Sequence, residues 1–264
     1  MRHILLAMLL AALPVAANEL VRLKVRGDVT QPYYLQDGGE TKPAYAFILM
    51  PGGNGVARYR EQADGKAIAT SPLANNFLIR SAESFAGDGF VAAVMDAPSD
   101  LWGALSFEFR SGPQHAGDIA AVADDLRKRY PGVKVILVGT SNGTISAAYG
   151  GRALGNKLDG VVLTSSVFRT TWSSIRLNGF AFREIASPLL FVHHAEDGCN
   201  LTPYSDARLV TGFPLITVKG GGIGILGGNP CEAISHHGFL GREKDVAAAI
   251  RNWAAGKPYP ETIE

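Results

Sequence analysis

A succession of short apolar runs, spaced by stretches long enough for a helix, confines this chain to few folds. Ala44–Met50, Phe90–Met95 and Val133–Val138 are nearly unbroken, and Val161–Leu163, Leu189–Val192 and Leu215–Val218 repeat the pattern. Runs with no polar face read as strands buried on both sides. Between them, Asn76–Ala86 is expected to be a helix. His115–Arg129 is an amphipathic one with Ile119, Val122 and Leu126 on one face, and Val246, Ile250 and Trp253 line a closing helix. Strands alternating with helices imply an α/β fold, a mainly parallel sheet with helices on both faces. Glu19–Arg26 alternates as a half-exposed edge strand, a second short strand is expected near Tyr33–Leu35, and the tail Lys257–Pro260 reads as irregular.

The chain begins with Met1-Arg2-His3, an apolar run Ile4–Leu13 and the small-residue stretch Pro14-Val15-Ala16-Ala17. That order fits a secretory signal peptide over residues 1–17, cut after Ala17, and no cysteine at the cut suggests a lipoprotein. The apolar stretch is shorter than the roughly 20 residues a spanning helix needs. The mature chain, residues 18–264, is expected to be one α/β domain, exported to the periplasm or outside the cell. Losing Arg2 takes its formal charge from +1 to zero, so there is no electrostatic case for nucleic acid or an anionic membrane surface. In an oxidising compartment Cys199 and Cys231 read most simply as one disulfide. Two free thiols or half a metal site is the alternative, though no Cys-x-x-Cys spacing supports a metal.

The third apolar run leads into Gly139-Thr140-Ser141-Asn142-Gly143, followed by the small-residue helix Thr144–Tyr149. Gly-x-Ser-x-Gly between a buried strand and a helix is the setting of a nucleophile elbow, where a sharp turn lifts a serine hydroxyl above the sheet. A chain with 31 glycines can produce the pattern by accident, so the setting carries the reading. A serine needs a base to take its proton, and the base needs an anion to orient it. Asp197, just past the run Leu189–Val192, is the acid, with Glu196 as near rival and Asp96 a distant one. His237, in Ser235-His236-His237-Gly238, is the base in preference to His236. His193 and His194 read as packed residues at a strand end, and His115 as a helix-start residue.

On these residues, from about Ala44 to Gly256, the chain resembles the α/β hydrolases, whose triads run in the order serine, acid, histidine. The resemblance implies catalysis by Ser141, Asp197 and His237 without metal or organic cofactor. It also implies an oxyanion hole built from the Asn142 N–H and a donor in Pro51-Gly52-Gly53-Asn54-Gly55, Gly53 or alternatively Asn54. Pro51 stands where such a segment often has histidine. A Cys199–Cys231 bridge would then tie the acid loop to the histidine loop. The function implied is hydrolysis of a carboxylic ester through an acyl-enzyme. The alternatives are an exported serine peptidase or amidase with the same triad, and a non-catalytic binding protein of the same fold. The sequence selects neither a small-molecule nor a polymeric ester and carries no signature of oligomeric state.

Three further features need a place. Gly222-Ile223-Gly224-Ile225-Leu226-Gly227 satisfies a dinucleotide fingerprint, but Asn229-Pro230-Cys231 follows where a helix should begin, so it reads as a loop feeding the histidine. The loop Ala97–Pro113, with Trp102, Phe107 and Phe109, and the region Ser166–Phe182, with Trp172, are candidate pocket walls.

Overall fold

The apolar runs become strands where their pattern puts them. In the computed structural model, which describes residues 18–264, β1 (Asn18–Arg26) and β2 (Val29–Gln36) form a hairpin, and β3 (Tyr45–Met50) follows. A small separate hairpin of β4 (Tyr59–Glu61) and β5 (Ala67–Ala69) leads to α1 (Phe77–Arg80) and β6 (Phe90–Met95). Next come α2 (Phe107–Ser111), α3 (Pro113–Arg129), β7 (Lys134–Thr140), α4 (Gly143–Leu154) and β8 (Gly160–Thr164). The chain closes with β9 (Leu189–His194), α5 (Tyr204–Leu209), β10 (Leu215–Val218), α6 (Glu243–Ala254) and β11 (Thr262–Ile263). The signal peptide expected over residues 1–17 lies outside the described residues.

The main sheet runs β1-β2-β6-β3-β7-β8-β9-β10-β11. β1, β2 and β6 pair antiparallel, and every pairing from β6 to β11 is parallel. Parallel neighbours need crossover connections, and the crossovers cover both faces. The two-residue alternation of β3 shows how. Ala46, Ile48 and Met50 meet Ile119, Val122 and Leu126 of α3 and Ile145 of α4, while Phe47 and Leu49 meet Phe77, Phe85, Val246 and Ile250 on the other side. Pro113 opens α3 and Arg127, Lys128 and Arg129 fill its last turn, where cations suit the helix dipole. Leu137, central in β7 and fully buried, is a keystone of this packing. Its truncation to alanine should cost about 2–5 kcal/mol.

One expectation needs correction. The helix expected over Asn76–Ala86 is broken into one turn of α1 and a separate 3-10 turn at Ala82–Phe85, with another at Pro72–Asn75 just ahead. The Ser81 hydroxyl donates back to the Phe77 carbonyl at the break, a local bond that competes with helix propagation. Phe77, Leu78, Ala82 and Phe85 still reach the core, so their apolar spacing reflects burial and not an unbroken helix. The C-terminal tail is irregular over Lys257–Pro260, as expected, and Thr262–Ile263 beyond it adds a final parallel strand to β10.

Candidate active site

The segment after β7 turns sharply. Ser141 holds a φ of 51°, a left-handed conformation unfavourable for a side chain, and its N–H donates to the Thr164 carbonyl at 3.0 Å. The two motif glycines leave no room for anything larger. A Cβ on Gly143 would collide with the Met50 carbonyl oxygen, and one on Gly139 would collide with the Gly143 carbonyl and stand 2.8 Å from Ala147 Cβ. Helix α4 therefore packs directly on β7 and β3, which forces the turn at Ser141. Thr144 secures it, with N–H and hydroxyl both donating to the Ser141 carbonyl at 2.8 and 2.6 Å. Among the described residues the Ser141 hydroxyl itself has no hydrogen-bond partner, His237 included.

Asp197 and His237, 40 residues apart, are brought together: His237 Nδ1 lies 3.0 Å from Asp197 Oδ2, with the Asp197 side chain fully buried and that of His237 only 4% exposed. Asp197 also accepts from the Cys199 N–H at 2.9 Å and the Thr202 hydroxyl at 2.8 Å. Burial alone would push its carboxyl up. The bonds from His237, Cys199 and Thr202 outweigh that and hold it below the usual carboxylate range. A carboxylate so placed fixes Nδ1 as the protonated nitrogen and leaves Nε2 free to accept. The backbone of His237 is anchored too: its N–H donates to Ser235 Oγ at 3.1 Å, and its carbonyl accepts from the Ser165 hydroxyl at 2.8 Å. Gly238 cannot carry a side chain, because a Cβ would collide with the Ala233 carbonyl. Cys199 and Cys231 form a disulfide, which joins the segment after Asp197 to the segment before His237.

The Pro51–Gly55 loop lies beside Ser141. A Cβ on Gly52 would stand 2.8 Å from Ser141 Cβ, and the Gly53 carbonyl accepts from the Asn142 side chain at 2.9 Å. Among the described residues the N–H groups of Gly53, Asn54 and Asn142 have no acceptor. Behind the loop is Arg110, which sequence reasoning missed. Its guanidinium donates to the carbonyls of Pro51 (3.4 Å), Gly53 (3.3 Å) and Leu105 (3.3 Å) and to Ser146 Oγ (3.0 Å). Burial pushes it down to about 9, still a cation at neutral pH, and among the described residues no carboxylate pairs with it. It fixes which way the carbonyls of this loop face. Asp96, the distant rival for the acid, is spent elsewhere: it accepts from the N–H groups of Ala57, Tyr59 and Ala97.

Ser141, Gly53 and His237 border one cleft of about 820 Å³. Its walls differ from those expected: Trp102, Phe107, Phe109 and Trp172 do not line it. Phe107 is buried against the main core near Trp172, and Trp102 and Trp172 are largely exposed. The walls are Pro72, Leu73 and Asn75, just ahead of the segment expected to be a helix, Asn76 and Phe77 at its start, and the loop Ile223–Ser235. The glycine run in that loop answers to backbone contact: Gly222 N–H donates to the Leu240 carbonyl at 2.7 Å, and a Cβ on Gly224 would collide with the Ile234 carbonyl. His236 borders the cleft, its ring stacked on His194 at 4.2 Å. With Glu196 these two could be imagined as metal ligands. Both His194 nitrogens are committed, Nε2 to the Gly220 carbonyl at 2.8 Å and Nδ1 to the Glu196 N–H at 3.1 Å, so the donor set fits a metal poorly. His193 is packed as expected: its Nε2 accepts from the Ser166 N–H, and burial lowers it to about 4.

No protein-family model matches the chain, and no curated protein sequence does. Solved structures do. An α/β serine hydrolase homologue from Coxiella burnetii is 15% identical, with 90% of this chain and 98% of that one covered at a TM-score of 0.58. Est1E from Butyrivibrio proteoclasticus, with ferulic acid bound, is 12% identical over 90% and 98% of the two chains at 0.60. A serine hydrolase without a lid from Xanthomonas campestris is 15% identical over 91% and 97% at 0.53. Identities this low speak to architecture alone. The chain has the α/β-hydrolase fold.

Proposed function

We propose that the protein is an exported serine hydrolase that cleaves carboxylic esters through an acyl-enzyme, with residues 18–264 as its single mature domain. The observation that carries the reading is the meeting of a strained Ser141 and a buried Asp197–His237 pair, 3.0 Å apart, at one cleft. Ser141 Oγ attacks the ester carbonyl while His237 Nε2 takes its proton. The tetrahedral oxyanion is held by the N–H groups of Asn142 and Gly53. His237 returns the proton to the departing alcohol, and Asp197 stabilises the imidazolium while it lasts. Water, deprotonated by the same nitrogen, then attacks the acyl-enzyme and releases the acid and Ser141. The disulfide, together with the leader expected over residues 1–17, is the basis for proposing export, and among the described residues no helix is long and apolar enough to cross a membrane. A panel of aryl esters of increasing acyl length, set against aminoacyl anilides, tests the assignment on the mature protein. Turnover of the esters supports it, and turnover of the anilides alone would make the protein a peptidase or amidase.

A further inference from the structure

We propose that the side-chain amide of Asn76 is a third donor to the oxyanion; the inference rests on Ser141 acting as the nucleophile. Asn76 caps α1, and its Oδ1 accepts from the Leu78 N–H at 3.1 Å. Only the oxygen of an amide can accept from an N–H, so this bond settles the orientation of the group. The NH₂ end must face away from the helix, and Asn76 borders the cleft that holds Ser141.

Position supports the assignment. One point, the place a Cβ would occupy on Gly52, lies 3.3 Å from Asn76 Nδ2 and 2.8 Å from Ser141 Cβ. Nδ2 therefore lies within about 6 Å of the serine Cβ. An oxyanion on a carbon bonded to Ser141 Oγ stands three covalent bonds from that Cβ, inside hydrogen-bonding reach of an amide so placed. Gly52 keeps the space between them open. Asn76 is only 7% exposed, and among the described residues its NH₂ has no acceptor. The amide N–H groups, free of any protein acceptor and turned to the cleft, are available to a substrate oxygen that gains charge in the transition state. The amide is already oriented by its cap, so no reorganisation accompanies the reaction.

The test uses Asn76→Ser. Serine is as good a cap as asparagine, so helix α1 keeps its acceptor, but its hydroxyl is too short to reach the oxyanion. With p-nitrophenyl acetate, kcat should fall about 10²–10³-fold with KM little changed, the pattern of a donor engaged only in the transition state. The affinity of an arylboronic acid, whose tetrahedral adduct on serine mimics that state, should fall in parallel, with melting temperature unchanged. Asn76→Asp, which also keeps the cap, should do no better, because a carboxylate repels the oxyanion. Wild-type kcat or undiminished boronate affinity in Asn76→Ser would overturn the proposal. Labelling of Ser141 by a fluorophosphonate in the wild type separates the two claims. Without labelling both fail; with labelling and a fully active Asn76→Ser, only the role of Asn76 fails.

Discussion

On the elbow side of the cleft, position is enforced by close packing; on the histidine side it is enforced by a covalent bond. Gly139 and Gly143 let α4 lie against β7 and β3 in the middle of the sheet, and Arg110 gathers the carbonyls of the neighbouring loop. The histidine side stands next to β9 and β10, near one edge of the sheet. There the loop from Lys219 to Ser235 contributes exposed Ile225 and Leu226 instead of core. The loop itself buries little, and the Cys199–Cys231 bridge adds a covalent tie to the hydrogen bonds that Ser235 and Ser165 make with the His237 backbone. Precision is inexpensive where strands already order the chain, and needs a cross-link where they do not.

The first way to break this contrast is chemical. Asp197→Asn preserves shape but replaces the carboxylate that selects the Nδ1–H tautomer. A loss of about 10⁴-fold in kcat is expected, with the fold intact by circular dichroism. Loss of less than tenfold would mean that the Asp197–His237 pair is structural.

Removing the bridge comes next. Cys199→Ser with Cys231→Ser should cost about 3–4 kcal/mol in denaturant unfolding for a loop closed across 32 residues. It should also lower kcat while Ser141→Ala, made in the same background, changes stability little. Unaltered stability and activity in the double variant would show that packing holds both sides.

A matched pair of glycine substitutions sharpens the contrast. Gly143→Ala, which drives a Cβ into the Met50 carbonyl, should cost about 3 kcal/mol by thermal or denaturant melting. Gly227→Ala, with open space around it and only its φ of 74° to resist, should cost about 1 kcal/mol. Equal losses would remove the distinction between the two sides.

A further effect is in acid. Burial, aided by the charges of Arg110 and Arg26, lowers His115 to about 3, and burial lowers His193 to about 4. Below the ordinary histidine value of about 6.5 the unfolded chain takes up protons that these folded histidines refuse. Stability should therefore fall with pH by about 1.4 kcal/mol per unit for each, down to its folded value. Neither ring nitrogen of His115 has a hydrogen-bond partner, so His115→Leu should be tolerated at neutral pH and make the acid slope shallower by one such increment. An unchanged slope between pH 6 and 4 would contradict the assignment.

What the sequence made legible follows the same division. Strands buried on both faces announce themselves as apolar runs, and the elbow shows because the turn demands glycine at both flanks. Asp197 and His237 were readable by their order after those strands, and the structure brings the two together. Asn76 and Arg110 left no such mark. An asparagine before an apolar stretch reads as a helix start, which Asn76 is, and nothing local says that its other end faces a cleft. Arg110 lies in a stretch that reads as a loop, and only the tertiary fold shows that its guanidinium is enclosed by carbonyls. The cleft walls were misplaced for a related reason: aromatic residues suggest a pocket by composition, whereas Phe107 had core to fill. The dinucleotide-like glycine run is the converse case, a motif whose glycines answer to the carbonyls of Ile234 and Leu240.

The most direct test of the central claim is covalent labelling of the mature protein with a fluorophosphonate, followed by peptide mass mapping. A single adduct on the peptide carrying Ser141, absent from Ser141→Ala and strongly slowed in His237→Ala, is expected. Wild type that resists the probe, or Ser141→Ala that is labelled as fast as wild type, would contradict a serine nucleophile at this elbow.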